Sequence, residues 1–224
     1  MIMPRLVEEW TANVNADSQL KAYRDWVEAN AFGFGERCFL WMWKELIDRM
    51  PQEFTFCEVG VFRGQIVGLV RMLADRAGKE VTRHGVTPLD NSDGHWESDY
   101  AQDIRTLHTT HGIPLDDLTI HVGKSTDPDI IERLAGERFD IMYIDGGHDY
   151  NTVKSDLYNY PRLVKPSGYL VIDDCNSATW MPDGYFRGID SVSMAVDEEM
   201  PPAVYSDKWQ FELNVVHNRV LSRK

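Results

Sequence analysis

Residues 139–149 read FDIMYIDGGHD, an apolar run that ends abruptly in polar residues. The run closes on Asp145, and two glycines, His148 and a second carboxylate follow directly. A short apolar run bounded by glycines is typical of a strand buried on both faces of a parallel sheet. Ligands of such sheets bind beyond the carboxyl ends of the strands. The stretch therefore predicts a parallel sheet that is buried on both faces, and a ligand-binding site at the carboxyl ends of its strands.

The same alternation extends to either side of this stretch, from Phe54 onward. Short apolar segments alternate with amphipathic helical segments, and the tail 209–223 has the residue-by-residue alternation of closing strands. We predict an α/β fold: a Rossmann-like, doubly wound, mostly parallel seven-stranded sheet whose last strand is antiparallel. The five parallel strands are predicted at residues 54–60, 80–89, 118–123, 139–145 and 168–174, and the helices between and after them at 64–77, 99–111, 128–135, 151–163 and 189–200.

The first fifty residues have a helical rather than a strand pattern. Asp17 or Ser18 is a suitable cap for a helix that runs to about Asn30, and a second helix is predicted from Arg37 to Met50 after a glycine-containing break. We therefore divide the chain into an N-terminal helical extension, residues 1–50, and a main domain, residues 51–224. The aromatic-rich helices either pack against the main core or form a lid over a substrate pocket.

Composition and charge narrow the class of protein. The formal net charge of −13 argues against a nucleic-acid partner, because phosphate binding needs a basic surface. The sequence contains no run of about 18 apolar residues, so we expect no membrane-spanning helix. Glu8 and Glu9 occupy positions where a signal peptide would have apolar residues, so we expect no signal peptide. We expect a cytoplasmic protein with a small-molecule partner and three reduced cysteines. An exposed helical N-terminus would also suit a homo-oligomer.

The segment EVGVFRG, residues 58–64, follows the first predicted strand of the sheet. Its spacing is E-x-G-x-x-x-G rather than the G-x-G-x-x-G of a dinucleotide site. Glycines at such a turn let the backbone approach a ligand, as we expect for Gly60 and Gly64. The carboxylate of Glu58 would repel a pyrophosphate but attract a cationic ligand or hydroxyl groups.

Two further strand ends carry polar residues. Asp90 ends the second strand, where a carboxylate commonly binds ribose hydroxyls; the alternative is that it only caps a turn. Ser125 follows the third strand, where its hydroxyl could meet an adenine edge, or it could cap the next helix.

The acidic ends of the fourth and fifth strands form the strongest pattern. Asp145, Asp173 and Asp174 would repel one another unless a cation or protons intervene. Oxygen ligands of this kind suit Mg²⁺ or another divalent cation, although a single one of them could merely cap a loop. His148 is a candidate general base, or else a surface or capping histidine. We expect Asp156, in the helix that follows, to be solvated or salt-bridged.

Taken together, these motifs resemble the class I S-adenosylmethionine-dependent methyltransferases. More narrowly, YIDGGHDYNTVKSDL followed by LVKPSGYLVIDD resembles the metal-dependent macrocin O-methyltransferase family, which modifies sugars of antibiotics. The resemblance covers residues 54–176, about half of the chain, and implies a methyltransferase that binds S-adenosylmethionine and Mg²⁺ and methylates a hydroxyl of a small molecule. We therefore predict that the main domain, residues 51–224, is a methyltransferase domain. The roles it implies are cofactor binding for Glu58, Gly60 and Asp90, metal binding for Asp145, Asp173 and Asp174, and general-base catalysis for His148. From the positions of the motifs we add Gly64, Ser125 and Asp145 as candidate cofactor-binding residues and Asp145 as a candidate catalytic residue.

Two other functions fit the same pattern. One is a metal-dependent hydrolase that uses Asp145, His148 and Asp173 on a Rossmann-like sheet. The other is a non-catalytic module that keeps the cofactor fold. The glycine loop argues against the hydrolase, and the acidic trio argues against the module.

Overall fold

The computed structural model describes residues 3–90, 98–176, 184–200 and 207–224. Within these ranges one sheet has the strand order β3-β2-β1-β4-β5-β7-β6. Its strands are Glu53–Val59 (β1), Glu80–Thr87 (β2), Leu118–Val122 (β3), Phe139–Ile144 (β4), Val164–Ile172 (β5), Trp209–Val215 (β6) and Asn218–Arg223 (β7). The helices are Met3–Ala16 (α1), Ser18–Asn30 (α2), Cys38–Asp48 (α3), Gln65–Arg76 (α4), Tyr100–His111 (α5), Pro128–Leu134 (α6), Tyr150–Asn159 (α7) and Asp190–Glu199 (α8).

The strands β2 and β3 lie on one side of β1, and β4 and β5 lie on its other side, so the strand order reverses between β1 and β4. β1 pairs in parallel with both β2 and β4, and β4 pairs in parallel with β5. Val59 is opposite Ile144, which is opposite Ile172. This register brings the residues that follow these strands to one edge, at the switch point where open α/β sheets bind ligands.

The last two strands complete the sheet. β7 lies between β5 and β6 and is antiparallel to both. The turn between β6 and β7 comes back to the end of β5, where the Cys175 amide donates to the His217 carbonyl at 3.0 Å. The predicted doubly wound, mostly parallel seven-stranded sheet with an antiparallel last strand is confirmed.

Alternate residues of the strands face two hydrophobic cores, as the two-residue period of a strand requires. Phe56 and Tyr143 pack on one face, and Val59 and Ile144 on the other. The first core also contains buried side chains of α1, α2 and α3, including Trp43. The N-terminal helices therefore pack directly on the sheet, in agreement with the first of the two alternatives for this segment.

Helix ends follow local signals. The Asp17 side chain caps α2 by accepting from the amides of Gln19 and Leu20. α7 ends at Asn159, earlier than the predicted 163, because Pro161 begins a short 3-10 helix, Pro161–Leu163. Among the helices of the described residues, none combines the length and apolar character needed to cross a membrane.

Candidate functional site

A groove of about 310 Å³ opens at the carboxyl ends of the first four strands. Its walls come from the loops after β1, β2, β3 and β4, so the topology of the sheet creates it. The groove brings together residues that are far apart in sequence: Gly60, Asp90, Ser125, Asp145, Gly146, Gly147 and His148 all line it.

Gly60 lies where the end of β1 is in close contact with the end of β4. Its φ is +102°, and a Cβ there would lie 1.8 Å from the Asp145 carbonyl oxygen. The Gly60 amide donates to the Val86 carbonyl at 2.9 Å, and the Asp145 amide donates to the Val59 carbonyl at 2.8 Å. Only glycine fits both this backbone conformation and this contact.

Gly64 has a structural position in the same loop. It is the N-cap of α4 with a φ of +90°, and a Cβ there would lie 3.2 Å from the Ile104 side chain. The structure thus places Gly64 in the packing of α4 on α5 rather than on the wall of the groove.

Glu58 faces a second, smaller chamber of about 80 Å³ beneath the N-terminal segment. Its buried Oε2 accepts from the Val67 amide at 3.0 Å, which caps α4 from the end of β1. Burial raises the pKa of Glu58 to about 8, the Val67 amide opposes this rise, and the charge of Asp173 adds to it.

Asp145 and Asp173 meet through the hydroxyl of Tyr143. This hydroxyl lies 3.0 Å from Asp145 Oδ2 and 2.8 Å from Asp173 Oδ2. Burial raises the pKa of Asp145 well above its usual value, and repulsion from Asp173, Asp174 and Glu58 adds to that rise. A cation beside Asp145 would relieve the part of this rise that comes from repulsion.

His217, in the turn between β6 and β7, is the cationic partner of this acidic cluster. Its Nδ1 lies 2.7 Å from Asp173 Oδ1 and 3.0 Å from Asp174 Oδ1, and its Nε2 lies 3.1 Å from Glu36 Oε2. Burial lowers the pKa of His217, but Asp173 and the other carboxylates outweigh burial and raise it to about 12. The same contact holds the pKa of Asp173 below its usual value, although burial acts in the opposite direction.

His148 stands at the outer side of the cluster, where it is exposed. Its Nε2 lies 3.4 Å from Asp174 Oδ2. Within the described residues, two groups have ligand atoms close enough to share a metal ion: Asp145, His148 and Asp174 form one, and Asp173, Asp174 and His217 form the other. Asp174 is common to both groups, and its two oxygens face the two histidines.

Comparison with known proteins identifies the family. Residues 57–175, just over half of the chain, match a family described as a methyltransferase domain. The chain belongs to this methyltransferase family. This membership confirms the predicted enzyme class, an S-adenosylmethionine-dependent methyltransferase.

Individual relatives of this methyltransferase are distant. The uncharacterized protein R132 of Acanthamoeba polyphaga mimivirus is 25% identical over 169 residues, which are 74% of this chain and 73% of the relative. The S-adenosylhomocysteine-bound methyltransferase PaMTH1 of Podospora anserina superposes with a TM-score of 0.63 at 16% identity, covering 97% of this chain and 94% of the other. The O-methyltransferase of Bacillus cereus, also in complex with S-adenosylhomocysteine, has a TM-score of 0.63 at 12% identity, covering 97% and 100%. At these identities the two structures support the fold alone.

The methyltransferase thus brings most of the residues singled out from its sequence to one edge of the sheet. Asp90, Ser125, Asp145 and His148 join Gly60 around the groove. Asp173 and Asp174 lie beside Asp145 at the next strand end.

Three residues of the cluster were not predicted from the sequence: Glu36, Tyr143 and His217. Tyr143 had a usable signal, because it lies two positions before Asp145 and therefore on the same face of β4. Glu36 and His217 had none, since they are 181 positions apart in sequence and meet only in the folded chain. The interpretation of Asp156 as a solvated or salt-bridged residue is wrong, because its side chain is buried with 1% exposure.

Proposed function

We propose that this methyltransferase transfers the methyl group of S-adenosylmethionine to a hydroxyl of a small molecule with vicinal oxygens, in a reaction that depends on Mg²⁺ or another divalent cation. The observation that carries the proposal is the position of the groove. It opens at the switch point of the sheet and includes Asp145, which adjoins a buried acidic cluster. A methyl donor and an acceptor could meet at that residue.

The groove offers suitable contacts for S-adenosylmethionine, which supplies an electrophilic methyl group on a sulfonium. At Gly60 the backbone is not covered by a side chain, so a ligand can approach it closely. Asp90 offers a carboxylate and Ser125 a hydroxyl at two further strand ends. The positive charges of the ligand would favour the ionised forms of the nearby acids Glu58 and Asp145, whose pKa values are raised in the free protein. Relatives of the same fold are described as S-adenosylhomocysteine complexes, which supports this assignment.

The donor set also fits a divalent cation. Asp145, Asp173 and Asp174 supply hard carboxylate oxygens. Those of Asp145 and Asp174 lie close enough to share one ion, and so do those of Asp173 and Asp174. Burial raises the pKa of Asp145, and repulsion from the neighbouring carboxylates adds to that rise. We propose these three residues as the metal ligands; when bound there, the ion would act as a Lewis acid that lowers the pKa of an acceptor hydroxyl.

His148 is the proposed general base. Its Nε2 would take the proton of the acceptor hydroxyl, and Asp174, 3.4 Å away, would stabilise the imidazolium that forms. Loss of that proton gives the acceptor oxygen the charge that a nucleophile in methyl transfer needs. The groove holds the two reactants together, which supplies much of the rate enhancement.

The acceptor class and the cellular setting complete the proposal. A sugar hydroxyl, as in the macrocin O-methyltransferases, or another vicinal diol would suit this site. The net charge of −13 supports a small-molecule rather than a nucleic-acid acceptor. We further propose that the enzyme is cytoplasmic, acts away from membranes and forms homo-oligomers.

The test is a turnover assay that measures S-adenosylhomocysteine formation with matched pairs of acceptors, such as catechol and phenol, in Mg²⁺ and in chelator. We expect formation with vicinal diols, little with the monohydroxy analogues, and none in chelator. Undiminished formation in chelator would contradict the metal assignment. Metal-dependent hydrolysis of a phosphate or acyl ester in the absence of S-adenosylmethionine would instead favour the hydrolase.

A further inference from the structure

Asp156, in α7, is a buried acid that the proposed reaction does not use. Its side chain is 1% exposed, and neither carboxyl oxygen has a well-formed hydrogen bond to a protein group among the described residues. Burial raises the pKa of Asp156 to about 7, the nearby Ser125 hydroxyl acts against this rise, and the charge of Asp149 adds to it. A buried carboxyl without good partners destabilises a fold.

The carboxyl of Asp156 lies directly beneath the floor of the groove. A Cβ on Gly146 would be 3.0 Å from Asp156 Oδ2 and 3.9 Å from the Ser125 hydroxyl oxygen, so the three groups meet at one point. Ser125 and Gly146 both line the groove. Gly146 carries no side chain that could separate the acid from this floor.

The same end of α7 also holds the backbone of Ser125. The Tyr160 hydroxyl donates to the Ser125 carbonyl at 2.6 Å. The backbone of Ser125 is therefore fixed, and its hydroxyl is the part that remains adjustable toward Asp156.

Asp140, a half-buried acid in β4, has evident structural partners. Its Oδ2 accepts from the Thr55 amide at 2.7 Å and pairs with Lys165 Nζ at 2.7 Å. Asp156 has no such pairing, so the stability of the fold does not explain it. Its position under the groove indicates a role in ligand binding.

We propose that Asp156 is a positioning residue for the nucleoside of the methyl donor: it accepts the proton of the Ser125 hydroxyl and so turns the Ser125 oxygen toward the groove, where it accepts from an amino group of the base. This inference rests on the proposed function, because it assigns the groove to a nucleoside. It adds a role for Asp156 that acts only through Ser125.

The experiment is a calorimetric titration of the full chain with S-adenosylhomocysteine, in the wild type and in Asp156→Leu, Asp156→Asn, Ser125→Ala and the Asp156→Leu/Ser125→Ala double variant. We expect the leucine variant to bind at least about tenfold more weakly while its melting temperature is unchanged or higher, because an apolar side chain removes the cost of the buried acid. The asparagine variant should stay within about threefold of the wild type, since its amide oxygen still accepts from Ser125. Ser125→Ala and the double variant should lose no more than the leucine variant, within about twofold, because the two residues act as a unit.

The control is Asp140→Asn, which removes a charge at the opposite end of β4. It should lose stability and keep its affinity. The inference is overturned if Asp156→Leu binds as the wild type does, if the losses from the two single substitutions add, or if Asp156→Leu fails to fold, because the fold itself would then need the carboxyl. Absence of binding to the wild type would overturn the proposed function itself, which is a separate and recognisable outcome.

Discussion

At the residue scale, the central feature is a set of carboxylates with one imidazolium among them. His217 faces Asp173 and Asp174 through one nitrogen and Glu36 through the other. Against the effect of burial, these carboxylates raise the pKa of His217 to about 12, so the ring carries protons on both nitrogens at neutral pH. The charge of His217 lies against Asp173 and Asp174, whereas burial and the repulsion of its neighbours raise the pKa of Asp145.

Replacing Asp173 by asparagine tests the metal assignment. We expect Asp173→Asn to lose at least about a hundredfold in Mg²⁺-dependent turnover, because a metal ligand is removed. Binding of S-adenosylhomocysteine should stay within about threefold, since Asp173 does not line the groove. Asp140→Asn is the matched control. Activity of Asp173→Asn at the wild-type level in the presence of chelator would show that no metal acts there.

Removing the imidazole of His148 should change how activity depends on pH. We expect His148→Ala to lose about a hundredfold or more in turnover near neutral pH and less at high pH, where the acceptor ionises without a base. A pH–rate profile of both proteins measures this. If the variant has a lower rate but an unchanged profile, His148 is not the base.

The site residues at strand ends could be predicted from the sequence, because the end of each apolar run marks the end of a strand. Asp145, Asp173 and Asp174 follow such runs, and parallel strands end at one edge. Glu36 and His217 could not be predicted in this way. Their contact depends on how the segment before α3 and the β6–β7 turn pack, which no local pattern encodes.

At the scale of single elements, Glu58 couples the end of β1 to the first turn of α4. The N-cap of α4 is Gly64, which has no side chain to accept from the helix amides, and Glu58 accepts from the Val67 amide instead. We expect Glu58→Ala to lose the cap at a cost of about 1 kcal/mol relative to Glu58→Gln, which keeps an acceptor oxygen. Urea unfolding of the two variants at pH 5 measures the difference.

Because the pKa of Glu58 is raised in the folded protein, the free energy of unfolding depends on pH, and the direction of this dependence follows from the pKa shift. Between the ordinary value near 4.5 and the folded value of about 8, the folded protein holds a proton that the unfolded chain releases. The stabilisation from that proton is complete below the lower value and is lost as the pH rises through the upper one. The wild type should therefore lose at least about 1 kcal/mol relative to Glu58→Gln between pH 5 and pH 9. A constant difference would show that Glu58 titrates normally.

Alanine substitutions at Gly60 and Gly78 distinguish the cost of backbone strain from the cost of a steric clash. Both have positive φ, but a Cβ would meet the Asp145 backbone at Gly60 and nothing within 4 Å at Gly78. We expect Gly78→Ala to cost about 1 kcal/mol, and Gly60→Ala to cost clearly more and to abolish S-adenosylhomocysteine binding. Denaturant unfolding and calorimetry check this. Equal effects of the two substitutions would contradict the close contact of the two strand ends.

The elements themselves were largely predictable, because the period changes from helical to strand-like at each boundary. Their ends were less so. α7 stops at Asn159 because of Pro161, although the apolar pattern continues to Leu163. The burial of Asp156 in that helix could not be predicted from the sequence, since burial depends on what the helix packs against.

At the scale of the whole molecule, the N-terminal helices are part of the sheet's core. Trp43 of α3 makes edge-to-face contacts with Phe56 and Tyr143, at centroid distances of 5.8 and 5.1 Å. We expect Trp43→Ala to destabilise the entire protein by about 3–5 kcal/mol in a single cooperative transition. Trp43→Phe is the control and should cost less. A separate early transition, with the sheet unaffected, would make residues 1–50 an independent cap.

The architecture followed from the alternation of strands and helices, because right-handed crossovers leave few ways to arrange such a chain. The sequence predicted that the fourth and fifth strands end side by side, but it did not predict how the last two strands enter the sheet, and the position of His217 depends on that order. β7 enters the sheet between β5 and β6, and this alone places His217 against Asp173.

The measurement that tests the central claim most directly is calorimetric titration of the wild-type protein with S-adenosylhomocysteine, with and without Mg²⁺. We predict saturable binding at one site in both conditions, because the groove is formed by the sheet edge itself. The absence of binding in both conditions would contradict the claim that this edge holds the methyl donor.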